Sequence, residues 1–286
     1  MTATTTSQAE RAGAFVALHE APRGFIIPNP WDAGSARLLH ALGFVALAST
    51  SAGFAFSHAR PDYGIDRGEL MVHLAEIAAA TPLPVNADLE NGFGDEPAEC
   101  ARTIELAAAA GVVGGSIEDS TGRRDAPIYP MALAVERIRA AAEAAHSGST
   151  RFLLTARCEN YFVGQPDLPD TIARLQAYQE AGADVLYAPA LASREDIETV
   201  LREVDRPLNV LFGVPGMSMG IDELLSLGVQ RISTGGTLAR AAIGGMLRAA
   251  VALRDEGRVD YAAGATPGAV LNKLFSDPQA RLDPSP

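Results

Sequence analysis

Eight short apolar runs recur along this 286-residue chain, each followed by a polar turn and an alanine-rich amphipathic stretch. The runs are Phe25–Ile27, Phe44–Ala48, Leu83–Ala87, Val112–Ile117, Phe152–Ala156, Val185–Ala188, Leu208–Phe212 and Val229–Ser233. The helical patterns are Ser35–Leu42, Arg67–Ala80, Pro97–Ala110, Met131–Ala145, Asp170–Ala181, Arg194–Val204, Gly220–Leu227 and Leu238–Glu256. Strands that alternate with helices in this way pair in parallel, because each return to the same sheet edge needs a long crossover. About eight units over roughly 250 residues predict an α/β chain closed into a (β/α)8 barrel. The competing fold is an open, doubly wound sheet. The segment after the first run, Ile27-Pro28-Asn29-Pro30, lacks the glycine fingerprint that such a sheet uses for nucleotides. No linker interrupts the pattern, so 1–286 is expected to be one domain, with a leading helix over about 1–20 and a flexible tail over 277–286.

Composition removes several classes of function. The chain has 23 Lys and Arg against 35 Asp and Glu, a net charge of −12. A nucleic-acid or membrane-surface binder needs a basic face, so neither partner is expected. No apolar run is long enough to span a bilayer, and the start lacks the basic-then-apolar order of a signal peptide. With only Cys100 and Cys158, no disulfide framework exists, and a cytoplasmic protein is expected. Lys273 is the only lysine and lies near the C-terminus, which makes Schiff-base or pyridoxal chemistry improbable.

In a (β/α)8 barrel the reactive face is the C-terminal end of the strands. The polar residues closing the runs are Asn29; Ser49, Thr50 and Ser51; Asp88 and Glu90; Glu118 and Asp119; Arg157 and Glu159; and Ser233 with Thr234. Strand alternation predicts that Asp88 and Glu90 share a side, and Glu118 closes the next strand. Three crowded carboxylates repel unless a cation lies between them, and all-oxygen ligands suit Mg2+ or Mn2+. Asp119 alone reads equally well as a helix cap. Arg157 is expected to grip a substrate carboxylate; the alternative is a structural salt bridge to Glu118 or Glu159, and both can hold together. Trp31 either walls the pocket or packs the first turn. His58 lies near the expected mouth, where a proton shuttle is conceivable, and the other four histidines fit packing or surface roles. The loop Gly213–Gly220 reads as an ordinary mobile loop.

These motifs, in this order, resemble the isocitrate lyase and phosphoenolpyruvate mutase superfamily. Asn29–Leu38 is similar to its opening segment. Ser49–Gly53 and then Arg60-Pro61-Asp62-Tyr63-Gly64 resemble its carboxylate-binding turn and its proline-aspartate-glycine loop. Asn86–Gly94, Ser116–Asp119 and Thr155–Arg157 resemble the two acidic segments and the arginine strand. The resemblance implies a barrel with its C-terminal helix swapped between subunits of a homodimer or homotetramer. It implies Mg2+ held directly by Asp88, with Asp62, Glu90 and Glu118 reaching it mainly through water. It implies a 2-oxo acid substrate whose carboxylate meets Ser49, Thr50, Ser51 and Arg157, with Trp31 alongside. Asp62, Glu118 and Arg157 then form the catalytic set, and a bond breaks beside a metal-stabilised enolate of pyruvate type.

The departures narrow the activity. Lyases of this group carry a Lys-(Lys/Arg)-Cys-Gly loop whose cysteine donates a proton. Here that loop reads Ser120-Thr121-Gly122-Arg123-Arg124-Asp125-Ala126-Pro127. Glu90 stands where aspartate is usual, and no Asn-Ser pair follows as in the mutases. Decarboxylation of a 2-oxo diacid such as oxaloacetate, or a related aldol-type C–C cleavage, fits a site without that cysteine. The alternatives are hydrolysis of a C–P bond (as in phosphonopyruvate) or of a C–C bond, and a non-catalytic dicarboxylate-binding barrel.

Overall fold

The computed structural model describes residues 6–277 and 279–282. Eight strands, β1 (Phe25–Ile27), β2 (Leu47–Ala48), β3 (Val85–Asp88), β4 (Gly114–Glu118), β5 (Leu153–Arg157), β6 (Val185–Tyr187), β7 (Leu208–Leu211) and β8 (Arg231–Ser233), form one parallel sheet. Its order is β1-β8-β7-β6-β5-β4-β3-β2, which wraps the sheet into a nearly closed (β/α)8 barrel. At the remaining joint, between β1 and β2, one backbone bond from Ala48 N to Pro28 O (3.0 Å) replaces a ladder. The Asn29 side chain reinforces that joint. Its Nδ2 donates to Ser49 O (2.9 Å), while its Oδ1 accepts from the backbone N–H groups of Thr234 and Gly235 (both 2.9 Å).

The outer helices are α1 (Gln8–Glu20), α2 (Ala33–Ala41), α3 (Ser51–Ser57), α4 (Arg67–Ala80), α5 (Pro97–Ala109) and α6 (Met131–Ser147). They continue with α7 (Leu168–Glu180), α8 (Arg194–Glu203), α9 (Ile221–Ser226), α10 (Thr237–Glu256) and α11 (Gly268–Ser276). Their starts follow local chemistry. Ser7, Asp32 and Asp66 each close a capping box, and Ser193 caps α8 through its side chain. The sequence pattern misses α3 and α11. The expected leading helix begins at Gln8; 1–5, 278 and 283–286, which the expected leading helix and tail include, lie outside the described residues.

Helix α1 seals one end of the barrel. Phe15, fully buried, and His19 meet Phe25 of β1 edge-on. His19 Nδ1 donates to Phe15 O (2.8 Å), leaving Nε2 to accept from Arg231 Nη1 (3.5 Å). Arg231 also donates to Asn209 Oδ1 and Thr155 Oγ1 (both 2.9 Å), so this buried guanidinium is satisfied by neutral groups. Helix α10 behaves differently from the rest. Of its residues only Ala239 is buried, and Met246, Leu247, Val251 and Leu253 are exposed.

Candidate active site

The C-terminal ends of the strands carry the polar cluster, and the register fixes their heights. Asp88 pairs with Ser116, Glu118 with Arg157, and Arg157 with Tyr187. Asp88, Glu118 and Arg157 therefore close three adjacent strands at one rim. Glu90 reaches the same cavity by another route. Strand β3 ends at Asp88, and Glu90 sits in the left-handed region (φ 48°), so a tight turn and not strand alternation aims its carboxyl inward.

Each side chain is held by neighbours the sequence places nearby. Asp88 Oδ2 accepts from Ser51 N (3.0 Å) and Ser51 Oγ (2.8 Å), because Ser51 opens α3 immediately after β2. Asp88 N in turn donates to Ser49 Oγ (2.9 Å), and Thr50 caps α3 through Gly53 N (3.2 Å). Arg157 does take up the structural pairing expected as its alternative. It lies 3.1 Å from Glu118 Oε2 and 3.5 Å from Asp88 Oδ1, and its Nε donates to Glu159. Tyr63 Oη donates to Glu118 Oε1 and accepts from Ser120 Oγ (3.1 Å). The Tyr63 backbone is also left-handed (φ 60°), which turns the Asp62–Tyr63 loop over the rim.

A cavity of about 230 Å³ opens among these groups. It is bordered by Thr50, Ser51, Asp62, Tyr63, Asp88, Glu90, Glu118 and Arg157, and by Phe56, Phe162, Tyr187, Leu211, Gly213 to Pro215, Thr234 to Thr237 and Arg240. Ser49 faces a smaller hollow of about 40 Å³ beneath it, with Asn86, Ser116, Asn209 and Arg231. A larger hollow, about 990 Å³, lies at the C-terminal ends of α4 and α5, lined by Arg11, Arg37, His40 and Arg281 and by no carboxylate. The carboxylate cluster borders the cavity of about 230 Å³.

Several residues singled out in the sequence fall elsewhere. Trp31 packs beside α3, where a Cβ on Gly53 would stand 2.9 Å from the Trp31 Cβ and 3.1 Å from that of Ala239. It does not border the cavity. His58 ends α3, exposed, with Nδ1 near Phe54 O (3.2 Å), and is also outside it. Asp119 is no helix cap. Buried, it accepts from Glu159 N (2.8 Å), Tyr178 Oη (2.6 Å) and Arg174 Nη1 (3.1 Å), fixing the chain just past β5. Conversely, Phe56, Tyr63, Phe162, Tyr187 and Arg240 line the cavity without having been selected as site residues. Of these, only Tyr63 lay inside a quoted motif.

The electrostatics of the cluster favour a cation. Glu90 is pushed up to about 9 by burial, then by Asp88, Glu118 and Asp62. Burial also raises Glu118, against the pull of Arg157, and Asp88 adds to the rise. Asp62, desolvated at the mouth and facing Asp88, is raised as well. Asp62, Asp88, Glu90 and Glu118 share Arg157 as the cation beside them, and like charges this close raise one another. Among the described residues no three His, Cys, Asp or Glu side chains converge closely enough to hold a metal by themselves. Mg2+ keeps several waters and takes one or two carboxylates plus substrate oxygens. The oxygen-only donors fit it.

The model of the phosphoenolpyruvate phosphomutase family matches residues 15–254. The chain belongs to the phosphoenolpyruvate mutase/isocitrate lyase superfamily. Within the superfamily, a candidate lyase or mutase from Burkholderia cenocepacia J2315 is 56% identical. The match covers 96% of this chain and 98% of that one, with a TM-score of 0.93. The structure of 2,3-dimethylmalate lyase is 28% identical, with a TM-score of 0.81 over 92% of this chain and 94% of the other. Oxaloacetate decarboxylase of Pseudomonas putida (strain GB-1) is 30% identical over 227 residues, 77% of this chain and 76% of its own length. Superfamily relatives thus include lyases acting on small oxo and hydroxy acids.

Proposed function

We propose that this protein is a Mg2+-dependent carbon–carbon lyase acting on a small 2-oxo acid or dicarboxylate, by decarboxylation or aldol-type cleavage. The observation that carries the reading is the convergence of Asp88, Glu90, Glu118 and Arg157 on one cavity, with three of the cavity's carboxyls raised. Asp88 would hold Mg2+ directly, with Asp62, Glu90 and Glu118 around it through water. Bound there, the ion supplies Lewis acidity towards a ketone oxygen that gains charge as the bond breaks.

The chain's own residues do the rest. Ser51 fixes the angle of Asp88, and Glu118 and Glu159 fix the guanidinium of Arg157. Arg157 and the Ser49–Ser51 turn border the place where the substrate carboxylate sits. In decarboxylation the electrons of the breaking C–C bond move towards the ketone oxygen and CO2 departs. A proton from water then completes the product, so no loop cysteine is required. Tyr63 covers Glu118 and keeps bulk water from that edge. We also propose assembly into a homodimer or homotetramer through the exposed apolar residues of α10.

The test is release of pyruvate from oxaloacetate, alongside 2-hydroxy diacids and phosphonopyruvate, by purified protein. Turnover above the rate of Mg2+ alone, abolished by EDTA and restored by Mg2+, is expected for at least one C–C substrate. Undiminished turnover after chelation, or release of phosphate or of a carboxylic acid pair in place of a lyase product, rejects the reading.

A further inference from the structure

The hollow of about 990 Å³ lies at the opposite end of the barrel from the carboxylate cluster. Helices α4 and α5 end there and lead, through Thr81-Pro82 and through Gly111, towards the starts of β3 and β4. Asp88 and Glu118 close the far ends of those same strands. The chain has a net charge of −12, yet the lining of this hollow is basic. Arg11 of α1, Arg37 of α2 and Arg281 after α11 border it, with no Asp or Glu among the described residues. Each arginine has a structural task at a helix end. Arg11 Nη1 donates to Ala78 O (2.7 Å), Arg37 Nη2 to Leu274 O (2.7 Å) and Asp277 O (2.8 Å), and Arg281 Nη1 to His40 O (3.2 Å). These caps do not neutralise the arginines. The C-terminal ends of α2, α4, α5 and α11 carry roughly half a negative charge each, against a full positive charge on each of the three guanidiniums, so the hollow stays cationic. Arg11 Nε is buried with no hydrogen-bond partner among the described residues, and burial lowers Arg11 with no acidic group to oppose it. His40 adds no charge: burial, then Arg281 and Arg37, lower it, and its Nε2 accepts from Arg281 Nη1 (2.7 Å).

We infer that this hollow is a second ligand site, separate from the candidate active site, which takes a phosphate-bearing organic anion of up to nucleotide size. The charge calls for an anion, because a half-buried cation without an acidic partner is costly until one arrives. The arrangement favours phosphate over carboxylate. A phosphate group carries about two negative charges and offers oxygens in several directions, which suits arginines reaching in from three separate elements; a planar carboxylate serves one fork. The volume stands at the upper end of the roughly 300–1,000 Å³ range of small-molecule sites, well beyond what a lone phosphate fills. Ala75, Ala79, Pro82 and Phe275 supply apolar wall for the remainder of the ligand. Bound there, the anion ties α1, α2 and the segment after α11 to one another, and so stabilises the fold by mass action.

Calorimetry and thermal unfolding of the full chain test this, with EDTA present so that no probe binds through a metal. The probes are pyrophosphate, ADP, adenosine and citrate. Pyrophosphate and ADP are expected to bind and to raise Tm, and adenosine to do neither. Arg11→Gln combined with Arg281→Gln should weaken ADP binding at least tenfold. Ala79→Glu, at an exposed position of α4, sets a carboxylate against the hollow while leaving every arginine in place, and should weaken it by a similar factor. Asp88→Asn, at the other end of the barrel, should bind ADP as the wild type does. Absence of binding by both phosphate probes, or unchanged ADP affinity in Ala79→Glu, overturns the site. Loss of binding in Asp88→Asn places the probe among the carboxylates and overturns it equally. Citrate bound more tightly than pyrophosphate overturns the phosphate class.

Discussion

Asp88 Oδ2 is held by Ser51 through both a backbone N–H and a hydroxyl, while Arg157 stands 3.5 Å from Oδ1. Ser51→Ala removes the hydroxyl and leaves the backbone bond, so the carboxylate stays in place but gains freedom. A hydrogen bond to a charged group contributes about 1.5–3 kcal/mol, and loosened positioning of a reacting group costs roughly ten- to a hundredfold in rate. Turnover is therefore expected to fall by about that factor, with a small drop in Tm; activity within twofold of wild type would remove Ser51 from the machinery. The position of Asp88 was legible in the sequence because it ends a strand, and a strand end projects to the rim. Glu90 was legible only as a carboxylate, since its left-handed turn follows no period. Tyr63 was visible only as part of the motif around Asp62 and Arg240 not at all; loop curvature and the circular order of strands bring them to the cavity.

At the level of elements, α1 carries a pH dependence into the fold. Burial, helped by the charge of Arg231, lowers His19 from 6.5 to about 3, and burial lowers His73 on α4 from 6.5 to about 4. In the unfolded chain both take up a proton below about pH 6.5, whereas in the fold they remain neutral. For these two groups acid therefore favours unfolding: their contribution is full above pH 6.5 and declines as pH falls towards 3. At pH 5 His19 alone accounts for about 2 kcal/mol. Urea unfolding of wild type and of His19→Gln, which still accepts from Arg231 but does not titrate, isolates this: the wild-type change between pH 7.5 and pH 5 should be less favourable to the fold than the variant's by that amount, the raised carboxyls of the rim acting equally on both. The same pH-dependent change in wild type and His19→Gln would refute the assignment. The strand–helix rhythm was readable because each unit carries its own apolar period. Helix α3 was not, because Ser51–Ser57 is too short to display one and is fixed by Thr50 and by close packing at Gly53.

For the whole molecule, the exposed apolar residues of α10 are the surface through which we propose that a second copy of the chain packs. Leu247 and Val251, one turn apart, are 54% and 46% exposed, and Met246 is 61% exposed. Light scattering is expected to give a dimer or tetramer, and Leu247→Glu combined with Val251→Glu to shift it to a smaller species. A wild-type monomer at all concentrations would contradict that assembly. Seven of the eight joints around the barrel are ladders, whereas β1 and β2 share one peptide contact and the amide of Asn29. That joint is the fold's zip. Parting it breaks two bonds where any other parting would unfasten a row, so whatever breathing the wall allows is channelled to the rim beside Ser49, a few atoms from Asp88.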